Sequence, residues 1–199
     1  MNKDTLDKFW STLETQTSGT YNSKIGELST DSFSTIKKII AHTNPKTIYE
    51  MGFNRGSSSA MWVASSPSSH IISTDRWLVE HQKNNSNKIK QLMSNLGQGG
   101  SFQLFDMDHN NVTLNKGEEW YNKFDLIFID GDHTKNGVER DTQTALKLNP
   151  KYIAYDDWFH LKHQKDVRRS AYGSGLVLIE EFRTDCGQAV LSNPNYKNE

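Results

Sequence analysis

Two short stretches of the chain concentrate the groups able to do chemistry. Ile129-Asp130-Gly131-Asp132-His133 brings two carboxylates and an imidazole together, and Tyr155-Asp156-Asp157-Trp158 adds two adjacent carboxylates. Each follows an apolar run of strand character. In a parallel sheet the carboxyl ends of neighbouring strands share one edge, so four carboxylates and one imidazole gather at one rim. Unpaired, those acids repel one another and their pKa values rise. A divalent cation relieves this most simply, and oxygen-only donors suit Mg2+, with Mn2+ or Ca2+ as alternatives. The competing reading is structural: Asp-Gly is a common turn, Asp156-Asp157 can cap a following helix, and His133 can be a locally hydrogen-bonded residue.

A third stretch, Ile48-Tyr49-Glu50-Met51-Gly52-Phe53-Asn54-Arg55-Gly56-Ser57-Ser58-Ser59, lies where a first strand turns into a helix. Gly52 and Gly56 let the backbone approach a ligand and adopt conformations closed to other residues. The helix offers free N–H groups near Ser57 and Ser58. The dinucleotide fingerprint Gly-x-Gly-x-x-Gly is absent, since Asn54 stands at the middle glycine. Glu50, two residues before the turn, would repel a pyrophosphate and welcome a cationic ligand.

The elements that must position these groups can be read from apolar periodicity. Strand candidates are 47–51, 70–74, 101–105, 124–130 and 152–155, and helix candidates lie near 56–65, 84–96, 112–122, 137–147 and 159–171. This alternation predicts an α/β fold: a Rossmann-like, doubly wound, mostly parallel sheet. Leu176–Ile179 and Gln188–Leu191 add an antiparallel hairpin, making seven strands. Residues 1–43 read as an N-terminal helical segment with a polar stretch at 15–30, a second helix start at Thr30 or Asp31, and an end at Asn44-Pro45. The expected organisation is one domain over 1–199, with the core at 44–199. Glu80 to Gln91 is so polar that it reads as an exposed or mobile segment beside the active face.

Composition narrows the classes. The 199 residues carry 23 Lys+Arg against 24 Asp+Glu, so no basic excess awaits a nucleic acid. No run suits a membrane span, and the first residues lack the apolar core of a signal peptide, so a cytoplasmic protein is expected. A single cysteine, Cys186, excludes an intramolecular disulfide and multi-cysteine metal sites. His42, His70, His81, His109, His160 and His163 show no ligand spacing and read as surface or locally bonded residues. Arg168-Arg169 reads as a solvated face, and Trp77 and Trp158 as either core or site walls.

Glu-x-Gly-x-Asn-x-Gly-Ser-Ser after a first strand resembles motif I of class I S-adenosylmethionine-dependent methyltransferases. The resemblance implies that Glu50 faces the amino end of the cofactor, directly or through water. It places Gly52, Phe53, Asn54, Gly56, Ser57 and Ser58 along the methionine and ribose portions, and Asp75, with Arg76 after it, at the ribose hydroxyls. Asp106 or Asp108, around Met107, would lie near adenine. The Ile-Asp-Gly-Asp-His run is similar to the small-molecule O-methyltransferase branch, which includes sugar O-methyltransferases and resembles the catechol type. That likeness implies a metal held by Asp130 or Asp132 with Asp156 and Asp157, and a proton acceptor in His133 or Asp130, the latter also beside the cofactor. The implied acceptor is a small hydroxylated molecule, with a homo-oligomer left open. Asn149-Pro150-Lys151 departs from the Gly-Gly usual before strand five.

Overall fold

The computed structural model describes residues 30–76, 78–112, 116, 119–160, 162–183 and 187–197. The expectations for residues 1–29, and for Trp77 and Cys186, lie outside them. Seven strands form one sheet: β1 (Thr47–Met51), β2 (His70–Asp75), β3 (Ser101–Asp106), β4 (Leu126–Ile129), β5 (Tyr152–Tyr155), β6 (Val177–Phe182) and β7 (Gln188–Ser192). Their order is β3-β2-β1-β4-β5-β7-β6. The first five are mutually parallel, while β7 runs antiparallel to β5 and β6. The doubly wound sheet with a C-terminal hairpin is therefore the observed fold, and the order reverses between β1 and β4, where such sheets place ligands.

Strand alternation sends successive side chains to opposite faces. Ile48, Leu126, Phe128, Ile71 and Phe102 join Trp62 and the helix α1 (Thr30–Thr43) residues Phe33, Ile36 and Ile39 in one apolar layer. Tyr49, Met51, Ile127, Ile129, Ile153 and Tyr155 join Trp120, Val138, Trp158 and Val167 in the other. Helix α2 (Ser57–Ser65) and helix α3 (Glu80–Leu96) lie on the first side; helix α4 (Lys135–Lys147) and helix α5 (Gln164–Gly173) pack together on the second. Every residue of β4 is buried, as a strand covered on both faces requires.

The polar 80–91 segment corrects the expectation of an exposed or mobile stretch. It is the first two-thirds of α3, and Gln82, Asn85, Ser86 and Ile89 are buried. Burial of the polar members is compensated by hydrogen bonds: Gln82 Nε2 donates to Asp75 at 3.2 Å and Asn85 Nδ2 donates to the Arg55 carbonyl at 3.0 Å. Asn149 adopts a left-handed φ of 53°, which asparagine tolerates better than other non-glycine residues. Among the described residues no helix is long and apolar enough to cross a membrane.

Behind the sheet edge, His109 Nε2 lies 3.0 Å from Asp141 Oδ1, with Asp141 wholly buried and His109 nearly so. Gly131 makes room for the pair, because a Cβ there would sit 2.7 Å from the His109 ring. Burial lowers the His109 pKa, but the Asp141 carboxylate outweighs it and the net shift is upward from 6.5. A histidine raised by folding contributes fully below its unfolded pKa, and the contribution is lost as pH rises through the folded value. His109→Gln should therefore cost about 3 kcal/mol at about pH 6 and clearly less at about pH 9. Urea denaturation at both pH values measures this; equal losses would show that the pair is not ionic.

Candidate active site

Four backbone hydrogen bonds just past the strand ends align the rim. Gly52 N–H donates to the Thr74 carbonyl, Asp130 N–H to Met51, Asp156 N–H to Ile129 and Met107 N–H to Asp75, at 2.9–3.1 Å. Gly52 has φ 97°, and a Cβ on it would stand 2.2 Å from the Asp130 carbonyl oxygen. The β1 turn and the end of β4 thus touch backbone to backbone, which only glycine permits. Gly56, at φ 86°, is held close to the Phe53 ring and Ile89, so a side chain there would strike both. Asn54 takes φ 45° in the same turn.

Asp75 fastens this turn. Its Oδ2 accepts the backbone N–H groups of Asn54 at 2.7 Å and Phe53 at 3.3 Å, as well as Gln82, and its Oδ1 accepts Arg76 N–H at 2.8 Å. Phe53 offers its backbone N–H to Asp75, while its ring is buried against Phe102. Ser57 and Ser58 open α2 at the rim. Asp106 lies opposite Asp75 in the β2–β3 register, is exposed, and accepts Leu78 N–H. Met107 and Asp108 are half-buried in the turn beyond it, and Arg76 is exposed.

Glu50 stands behind the turn instead of on its surface. Alternation along β1 points it under α2, where it is completely buried and accepts the hydroxyls of Ser59 and Ser73. Loss of solvation pushes its pKa up, and the surrounding serine hydroxyls offset this only in part. Its Oε1 is buried, with no hydrogen-bond donor in range among the described residues.

The acidic rim divides in two. Asp130 and Asp156 both rise, burial being the main cause and the neighbouring carboxylates the next, with Asp156 reaching about 6. Asp156 accepts one hydrogen bond from Gln188, at 3.1 Å. Asp157, on a left-handed φ of 56°, is mostly buried; burial alone would raise its pKa, but His133 prevails and holds it low. His133 Nδ1 meets Asp157 Oδ2 at 2.5 Å, and this contact is the main reason its own pKa rises from 6.5. His133 Nε2 lies 3.9 Å from Asp130 Oδ1. These groups, with Val138, Tyr155, His163 and Val167, line one cleft.

Asp132 lines the same cleft and is also engaged by its own neighbours. Its Oδ1 accepts Thr134 N–H at 2.9 Å and its Oδ2 pairs with Arg140 at 3.2 Å, on the start of α4. Partial burial works against ionisation, but Thr134 and Arg140 keep its pKa low. The structure selects between the two readings of Trp158 and changes that of Arg168. Trp158 is core, with no exposed surface and its Nε1 donating to Glu181. Arg168 is no solvated face: it lies 5.2 Å over the Trp158 ring and donates to the Trp158 carbonyl.

Sequence reasoning missed His160 and His163. Both lie close to Asp157, one potential donor atom of each residue lying within 4.8 Å of the others. The signal was Asp157-x-x-His160-x-x-His163, a spacing of three that successive tight turns convert into proximity.

A family model described as a methyltransferase domain matches residues 49–158. No curated protein matches the chain in sequence. Among solved structures, an SAH-bound methyltransferase from Podospora anserina is similar at TM-score 0.67 and 17% identity, covering 98% of this chain and 88% of that one. An O-methyltransferase from Bacillus cereus in complex with SAH is similar at TM-score 0.63 and 13% identity, covering 97% and 92%. The matched segment runs from β1 through the glycine turn to the acidic rim, and the chain belongs to the methyltransferase domain family.

Proposed function

We propose that the protein transfers a methyl group from S-adenosylmethionine to an oxygen of a small hydroxylated molecule, of the sugar, polyketide or catechol kind, with divalent-cation assistance. The observation that carries this reading is the uncompensated negative charge at the rim. Glu50, Asp130 and Asp156 are all pushed toward protonation by burial and by neighbouring carboxylates, and the unsatisfied Glu50 Oε1 sits behind the glycine turn. A ligand carrying ammonium and sulfonium charges neutralises such a place; a phosphate-rich ligand does not. The cofactor supplies an activated methyl group. Gly52 and Asn54 shape the turn around it, and Asp75 keeps the turn in place while presenting a carboxylate on the ribose side. Asp106 or Asp108 is the acid for the adenine end.

His133 is the proposed proton acceptor. Its Nδ1 engages Asp157, which orients the ring and leaves Nε2 toward the cleft and Asp130. The remaining carboxylates, Asp130, Asp156 and Asp157, repel one another and so fit a cation, which would supply Lewis acidity to an acceptor hydroxyl. Walls from Val138, Tyr155 and Val167 keep the cleft partly dry.

Calorimetry with SAH tests the cofactor half. Asp75→Ala should weaken SAH binding by about 10- to 100-fold, the value of charge-assisted hydrogen bonds and of an ordered turn. Absence of SAH binding to the wild-type chain would refute the reading. His133→Gln should leave SAH affinity within about threefold yet cut turnover on a panel of hydroxylated acceptors by about 100-fold or more. Unchanged turnover would remove His133 from the mechanism.

A further inference from the structure

Asp157, His160 and His163 form a donor set unlike the oxygen-only set that the acidic motifs suggest. Two successive turns create it: His160 N–H donates to the Asp157 carbonyl at 3.1 Å, and His163 N–H to the His160 carbonyl at 3.0 Å. Residues three apart thereby come to one side of the loop between β5 and α5. The two imidazoles lie nearly parallel, with ring centroids 4.7 Å apart. One potential ligand atom from each of the three residues lies within 4.8 Å of the others, against about 3.4 Å between donors of a tetrahedral ion, so a bound ion would draw the three side chains together.

The surroundings match what ligands require. Asp157 is mostly buried, and His133 fixes its Oδ2, leaving the second oxygen of the carboxylate for an ion. Its backbone is held at φ 56°, a conformation unfavourable for a non-glycine residue and retained here where the donors converge. His163 lines the cleft that also contains Asp130, His133 and Asp156, so a fourth position would face the proposed reaction centre.

We infer that Asp157, His160 and His163 bind a transition-metal dication of the zinc class at the mouth of the cleft. The inference rests on the divalent-cation part of the proposed function and changes both donors and ion. Two imidazoles with one carboxylate favour Zn2+, Co2+ or a similar borderline ion, whereas Mg2+ prefers oxygen donors and keeps its water. Asp130 and Asp156 are then left to face the cationic cofactor.

The test uses tag-free, chelator-treated full-length protein titrated with ZnCl2, CoCl2 and MgCl2 by calorimetry, with the visible spectrum of the cobalt form. The expected result is one Zn2+ per chain, bound at least about 100-fold more tightly than Mg2+, with cobalt bands of imidazole-ligated type. His163→Ala and His160→Gln should each weaken zinc by about 10-fold or more, while Asp132→Asn should not. Zinc affinity unchanged in both histidine variants overturns the inference. So does Mg2+ binding tighter than Zn2+ and abolished by Asp130→Asn, which would restore the oxygen-only site. Should a histidine variant fail to fold by circular dichroism, the wild-type cobalt spectrum decides alone, since oxygen-only ligation gives weak octahedral bands. SAH titrations on the same samples keep the readings apart: zinc binding without SAH binding refutes the cofactor assignment only, and the converse refutes this site only.

Discussion

Crowding of negative charge at one sheet edge is the constraint on which the rest of the structure depends. Parallel strands end together, so the acids that terminate β1, β2, β4 and β5 have no means of avoiding one another. The fold deals with part of this charge locally. Asp75 is spent on the N–H groups of the glycine turn, Asp132 on the start of α4, Asp157 on His133 and Asp141 on His109. What is left, on Glu50, Asp130 and Asp156, is the charge that the molecule does not neutralise by itself.

Close backbone packing is the second ingredient. Gly52 presses against Asp130, Gly131 makes way for His109 and Asp141, and Gly137 lies directly against the Asp132 side chain. Each contact brings a chemically important residue nearer to the switch point than any side-chain-bearing residue would allow. Asparagines extend the same economy: Asn54 and Asn149 hold left-handed conformations in turns where glycine would be the simplest choice.

The polar faces of α3 and α5 show why local composition misleads. A run of His, Gln, Lys, Asn and Ser looks solvated, yet Gln82 and Asn85 are buried, where the end of β2 presents Asp75 to Gln82 and the β1–α2 turn presents the Arg55 carbonyl to Asn85. Likewise, Arg168 looks like surface charge, but the Trp158 and Phe159 rings lie beneath it. The partners lie 7 residues from Gln82, 30 from Asn85 and 10 from Arg168, each on another element, so the packing of those elements decides what covers these side chains.

The sequence by itself determined the order of strands and helices, the parallel sheet with its terminal hairpin, the glycine turn and the two acidic motifs. These follow from apolar periodicity, glycine spacing and residue type, all short-range properties. Only the tertiary structure decided how the acids are apportioned: that Glu50 hides under α2, that Asp132 pairs with Arg140 of α4, that His133 pairs with Asp157, and that His160 and His163 come back to it. Those outcomes depend on which face of a strand a side chain leaves and on which distant donor meets it. Such pairings arise from packing in three dimensions, and a one-dimensional pattern does not encode their distances.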